Sequence, residues 1–188
     1  MSKKVWYAPN KFESYGEEEI KAVEQCLRDG WLAGFGPRSV EFEEKIAKRF
    51  GKKYGVFVNS GSSACLLALA ALDLPKGCKI ITPACTFSTT LAPIIQLGFK
   101  PVFVDVGLTS YVPTVADIIA VIDEDTKAIM IPNLIGNKPN WTQLRYHLDQ
   151  IGRHDIIIIE DSADTITYTE ETDVATTSFY ASHVITAG

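Results

Sequence analysis

The feature that most limits the fold is an alternation. From residue 54 onward, short apolar runs alternate with segments of helical period. Residues 54–59, 79–82, 101–106, 127–132, 155–160 and 173–179 read as strands, and Ile156-Ile157-Ile158-Ile159 is the most apolar run. Residues 64–72, 87–97 and 141–151 read as helices, as does a segment opened by Thr114 and Asp117 and ending near Ile122. Strands this apolar have no face to leave in water. The pattern therefore predicts an α/β fold, a three-layer arrangement with a mostly parallel sheet flanked by helices.

The segment before residue 54 reads differently. Residues 1–14 are expected to form an irregular arm. A helix follows from Tyr15, with Glu17, Glu18 and Glu19 suited to its N-terminus, Ile20, Val23 and Leu27 on one face, and Gly30 as its stop. Residues 31–36 form a Gly-rich loop. Pro37 opens a second helix marked by Phe42, Ile46 and Phe50, and Gly51 ends it.

Composition excludes several classes. The net charge of -5 gives no bulk attraction for nucleic acid. No run of 18 apolar residues exists, and the N-terminal residues lack the apolar stretch of a signal peptide, so a cytoplasmic protein is expected. Cys26, Cys65, Cys78 and Cys85 show no Cys-x-x-Cys spacing and no zinc or iron–sulfur pattern, so no metal set is expected in this segment. Reduced thiols, with Cys26 and Cys65 among apolar helical residues, are the expectation.

Four places can carry chemistry. Asn59-Ser60-Gly61-Ser62-Ser63 is a small-residue turn opening a helix, which suits either a phosphate or a plain Ser cap. Glu160 and Asp161 end an apolar strand, where ligands bind in open α/β sheets. Asp161 there needs a cationic partner or solvent. Phe87, just past a strand, can stack on a flat ring or serve as core. His183 lies near the end of the sequence and can be a structural residue or an acid–base group.

The order of these places along the chain resembles the N-terminal half of the DegT-type sugar aminotransferase family, fold type I enzymes that use pyridoxal phosphate (PLP). The segments that carry the resemblance are Gly30-Trp31-Leu32 to Gly36-Pro37, Asn59 to Ala64, Thr86-Phe87, Pro101 to Val106, Glu160-Asp161-Ser162-Ala163 and Ser178-Phe179. The resemblance implies that Gly61, Ser62 and Ser178 bind the cofactor phosphate. It implies that Phe87 stacks on the ring and that Asp161 pairs with the pyridine nitrogen. It also implies a homodimer, and a small C-terminal domain that this segment lacks, so that residues 15–188 are part of a large domain. The abrupt apolar end at Gly188 likewise predicts a fragment of a longer polypeptide.

One departure redirects the reading. Five residues after Ser178 the aminotransferases carry a lysine; this chain carries His183, and no lysine follows Lys138. In Ser178-Phe179-Tyr180-Ala181-Ser182-His183 and in Pro132-Asn133-Leu134-Ile135-Gly136-Asn137 the chain is similar to the branch that dehydrates nucleotide-linked 4-keto-6-deoxyhexoses at C3. That branch implies the amine form of the cofactor, pyridoxamine phosphate (PMP). His183 is then the catalytic base and the product a deoxysugar for a surface polysaccharide. Turnover in that branch is completed either by L-glutamate as amino donor or by electrons handed in from an iron–sulfur cluster and a reductase. Three rival readings stand: a sugar aminotransferase given its lysine by another segment or chain, a non-catalytic fragment, and an unrelated nucleotide-binding α/β protein.

Overall fold

The computed structural model describes residues 15–30 and 35–184. The expected arm at 1–14 lies outside them, as does most of the 31–36 loop. The described elements run α1 (Glu17–Asp29), α2 (Pro37–Arg49), α3 (Gly61–Ala70), β1 (Lys79–Pro83), α4 (Ser88–Gln96), β2 (Lys100–Val104), α5 (Val115–Ala120), β3 (Thr126–Pro132), a 3-10 turn (Leu134–Gly136), α6 (Trp141–Gln150), β4 (Ile157–Ser162) and β5 (Val174–Thr177).

The five strands form one sheet in the order β2-β1-β3-β4-β5. Every neighbouring pair is parallel. Alternate side chains divide between two cores. Ile81, Ile129, Ile131 and Ile158 point to the face covered by α5 and α6, against Val115, Ile118, Trp141, Leu144 and Leu148. Ile80, Ala128, Met130 and Ile159 point to the face covered by α3 and α4, against Cys65, Leu69 and Ile94. Both faces are therefore dry, which is why β3 and β4 are apolar without alternation. Each fully buried isoleucine of this kind stabilises the fold by about 1.5–3 kcal/mol.

Helix boundaries follow local chemistry. Thr114 accepts a hydrogen bond from Asp117 N at 3.2 Å, and Asn140 caps α6 by accepting from Gln143 N at 3.0 Å. Glu19 accepts from Gly16 N at 2.7 Å at the start of α1, and Gly30 ends that helix at φ 77°.

Two sequence expectations differ from the structure. The apolar face of α1 is uncovered among the described residues, with Ile20, Val23 and Leu27 at 46%, 62% and 62% exposure. Residues 54–59 form no strand. Their β-rich composition gives extended chain, but a strand also needs a neighbouring ladder, and β5 is the last strand of the described sheet. Instead the Phe57 amide donates to Glu43 Oε1 at 2.7 Å, and the Phe57 ring packs edge-on against Phe42. A cavity of about 330 Å³ lies between residues 54–61 and 175–180. Cys65 and Cys78 are buried as expected of inert thiols, whereas Cys85 is exposed.

The topology fixes where a ligand can sit. The chain passes from β1 outward to β2, then returns across β1 to β3. Ligands in open parallel sheets bind beyond the carboxyl ends of the strands near such a reversal. Phe87, the 3-10 turn and Ser178 follow those ends, and Asp161 is the penultimate residue of β4.

Candidate functional site

The first component is the N-terminus of α3. Ser60 caps it, its Oγ accepting from Ser63 N at 3.1 Å. The N–H groups of Gly61 and Ser62 lie in the same first turn and have no intrahelical acceptor. Ser178, just past β5, sits against this turn. A Cβ placed on Gly61 would lie 3.0 Å from Ser178 Cβ and 3.4 Å from its Oγ. Gly61 is thus small because two chain segments meet there. Ser178 Oγ accepts from Tyr180 N at 3.3 Å, which leaves its own proton to donate elsewhere. Two backbone donors, a hydroxyl and the positive end of a helix lie close together, an arrangement with the chemistry to take a phosphate.

Substitution of Gly61 by alanine is expected to push Ser178 away from this turn. The overpacked contact should destabilise the chain by about 1–3 kcal/mol and lower its Tm by about 2–4 °C for each of these kcal/mol. Thermal denaturation with and without inorganic phosphate reads both effects. An unchanged Tm with undiminished phosphate stabilisation would refute the close fit.

The second component is Asp161, at the end of β4 and only 8% exposed. Thr90 of α4 donates to its Oδ2 at 2.8 Å, and Thr176 of β5 donates to its Oδ1 at 3.4 Å. Desolvation holds the carboxyl above the ordinary carboxylate range, and these hydroxyls offset only part of that effect. The Cys65 thiol, buried beside Asp161, is pushed up to about 12, chiefly by desolvation. Among the described residues no lysine or arginine forms an ion pair with Asp161. A desolvated carboxylate without a cation suits a ligand that brings one, such as a protonated ring nitrogen.

The surroundings of Asp161 are fixed from behind. Asn133 N donates to the Asp161 carbonyl at 2.9 Å. The Asn133 side-chain amide donates to Glu160 Oε2 at 3.0 Å and to Ser162 Oγ at 2.6 Å. Lys52 Nζ donates to the Thr169 carbonyl at 2.7 Å and to Thr172 Oγ1 at 2.9 Å. Lys52 thus ties the 163–173 loop to the segment after α2, and Thr172 Oγ1 ties it to the sheet by donating to Glu160 Oε1 at 3.0 Å.

Phe87 precedes α4 one turn before Thr90, and its ring is 68% exposed. It is therefore not core and has a free face for stacking. His183 Nδ1 lies 3.1 Å from Asp164 Oδ1. Its ring meets that of Tyr180 edge-on, with centroids 5.9 Å apart.

Of the six residues singled out in the sequence, Gly61, Ser62 and Ser178 lie together at the first turn of α3. Thr90 and Thr176 connect Asp161 to the helix that follows Phe87 and to the strand that precedes Ser178. His183 joins through Asp164, three residues after Asp161. The sequence reading missed Thr90, Thr176 and Asp164. Thr90 was findable, one helical turn beyond Phe87. Thr176 and Asp164 carry no local signal of their own. Among the described residues, neither Phe87 nor His183 makes a direct hydrogen bond or ring contact with Asp161, Gly61 or Ser178.

The family model described as DegT/DnrJ/EryC1/StrS aminotransferase family matches residues 13–188. The chain is 37% identical over 188 residues to the lipopolysaccharide biosynthesis protein RfbH of Salmonella typhimurium, covering 92% of this chain and 42% of that protein. It is 34% identical over 192 residues to GDP-4-keto-6-deoxy-D-mannose 3-dehydratase of Escherichia coli O55:H7, covering 95% of this chain and 48% of that one. A solved structure of the E. coli 3-dehydratase with bound hydrated PLP superposes with a TM-score of 0.81 at 33% identity, covering 96% of this chain and 48% of that one. The chain thus spans less than half the length of these relatives.

Proposed function

From the premise that this chain belongs to the DegT/DnrJ/EryC1/StrS aminotransferase family, we propose that it is the cofactor-binding half of a PMP-dependent 3-dehydratase acting on a nucleotide-linked 4-keto-6-deoxyhexose. The observation that carries this reading is His183 in place of a lysine, with Asp164 against its ring. The similarity to RfbH and to the E. coli 3-dehydratase supports it.

The residues fit the cofactor. The Gly61 and Ser62 amides and the Ser178 hydroxyl would hold the phosphate, Phe87 would stack on the ring, and Asp161 would keep the ring nitrogen protonated. When bound, PMP supplies a primary amine for the substrate ketone and a ring that accepts electrons. His183 takes a proton at its ring nitrogen from the carbon bearing that amine. It then returns a proton to the departing C3 hydroxyl, which leaves as water. Loss of this hydroxyl reduces the sugar by two electrons, which the bound cofactor would supply. Each turnover therefore needs those electrons replaced, either by an amino donor such as L-glutamate or by a reductase acting through an iron–sulfur cluster.

No helix among the described residues is long and apolar enough to cross a membrane. A cytoplasmic homodimer, in which a second copy completes the site, fits a reading based on nucleotide-sugar chemistry. The pathway class is deoxysugar synthesis for a surface polysaccharide.

Borohydride trapping separates this reading from an aminotransferase. The chain loaded with PLP, reduced and weighed intact is expected to gain no pyridoxyl adduct, because an imidazole forms no reducible imine. The His183→Lys variant is expected to gain one. An adduct on the unsubstituted chain would favour the aminotransferase, and failure of the lysine variant would place residue 183 away from the cofactor.

A further inference from the structure

Asp164 lies outside the six residues assigned above, and its two carboxylate oxygens have different partners. Oδ1 is 3.1 Å from His183 Nδ1, and Oδ2 accepts from Ile135 N at 3.2 Å. Ile135 is the middle residue of the 3-10 turn after β3. It has φ 56° and ψ 27°, the left-handed region that a β-branched residue rarely enters. Its side chain is 70% exposed, so packing does not account for that conformation. The hydrogen bond to Asp164 does, because it aims the Ile135 amide at the carboxylate. Strained backbone of this sort persists where surrounding contacts over-determine it.

The turn is in turn anchored to the sheet. Gly136 N donates to the Asn133 carbonyl at 3.1 Å, and the Asn133 side chain is bonded to Glu160 and Ser162. Asp164 therefore spans from a fixed turn at the end of β3 to the ring of His183. A carboxylate only accepts hydrogen bonds. The ring nitrogen facing it must carry a hydrogen, so the neutral imidazole has its hydrogen on Nδ1 and its lone pair on Nε2.

We propose that Asp164 is a positioning residue that fixes the tautomer and orientation of His183, presenting Nε2 as the proton acceptor. The proposal rests on the reading of His183 as the base, but its test does not. The side chain of Asn has one acceptor oxygen where Asp has two. In Asp164→Asn, either the Ile135 amide or the ring hydrogen loses its acceptor. If the amide oxygen stays with Ile135, an N–H group faces the imidazole and favours the other tautomer.

The chain has three histidines, so its ring nitrogens can be assigned individually. We would label the 188-residue chain with 15N and record long-range 1H–15N correlations at about pH 8.5, above the ordinary histidine range. His154, 71% exposed beside Asp149, and His147 serve as internal reports on the fold. The expected result places the downfield, hydrogen-free nitrogen of His183 at Nε2, and Asp164→Ala moves it to Nδ1, as does Asp164→Asn where its oxygen stays with Ile135. A downfield Nδ1 in the unsubstituted chain overturns the proposal, as does an unchanged tautomer in Asp164→Ala, which offers the ring no acceptor at all. Should Asp164→Ala fail to fold, the unsubstituted ring alone decides between the same two results. In the complete enzyme the variant is expected to lose about 10²-fold or more in kcat, with Asp164→Glu recovering part of it. Dehydration that survives His183→Asn would remove the base reading and leave the tautomer result standing.

Discussion

Replacement of His183 by asparagine is expected to slow sugar dehydration by about 10²–10⁴-fold, the usual contribution of a positioned acid–base group, while cofactor binding survives. The expectation rests on the separation of tasks in the site. On the proposed reading phosphate, ring face and ring nitrogen are each assigned to other residues, so an uncharged amide at position 183 should remove proton transfer alone. Asn also keeps an N–H that can face Asp164, so the Asp164–Ile135 contact need not collapse. No other lysine or histidine follows Lys138 within reach of the role by sequence, since His147 and His154 belong to α6 and the loop after it. The measurement is product formation by the complete enzyme with PMP and a nucleotide-linked 4-keto-6-deoxyhexose, beside the absorbance of bound cofactor. Dehydration within a few-fold of the unsubstituted enzyme would dismiss His183 as the base.

The second large effect has two opposite signs. Asp161→Asn should nearly abolish activity and yet stabilise the chain without cofactor. Breaking a buried pair between this carboxylate and a ring cation forfeits about 3–5 kcal/mol, which is about 10²–10³-fold or more in rate. Without the ring, the same carboxylate is a desolvated charge. Burial holds its carboxyl above the ordinary range, so the folded chain binds that proton more tightly than the unfolded chain does. The resulting stabilisation is complete below the ordinary aspartate range and is lost as pH rises through the raised folded value. At neutral pH the ionised form is therefore a liability that asparagine avoids. Thermal denaturation at about pH 4 and about pH 8 reads this directly. The variant should gain about 2–4 °C for each kcal/mol relieved at the higher pH, and much less at the lower. A variant less stable at both would mean that Asp161 is a structural residue already satisfied by Thr90 and Thr176.

What the sequence made legible follows from the range of the interactions involved. The strands β3 and β4 were readable because burial on both faces leaves an unbroken apolar run, and α5 because Thr114 caps it locally. Residues 54–59 misled for the opposite reason. Tyr54, Val56 and Phe57 favour extended backbone, but pairing is a property of what lies beside them, and none of the described strands does. The exposed face of α1 is the same lesson, since periodicity shows that a face is apolar and says nothing about what covers it. In the site, Gly61 and Asp161 were legible from their positions at element ends, and Ser178 only through the family resemblance. Asp164 was not, because its importance comes from a turn some thirty residues earlier. Thr176 was hidden as one threonine among several near β5.

The parallel sheet also determines how the chain must find this structure. None of its ladders can be closed by a tight turn. Ile159 pairs with Val174, Ala128 with Ile157 and Lys79 with Thr126, so every ladder waits on a crossover or long loop being ordered first. Loop closure precedes the gain from pairing, and such topologies have a high contact order and fold slowly. During that wait the β3 and β4 runs, apolar on both faces, are exposed, with no hairpin among the described residues to sequester them. Growth temperature and the rate of synthesis should therefore govern the yield of this protein more than the stability of its finished core.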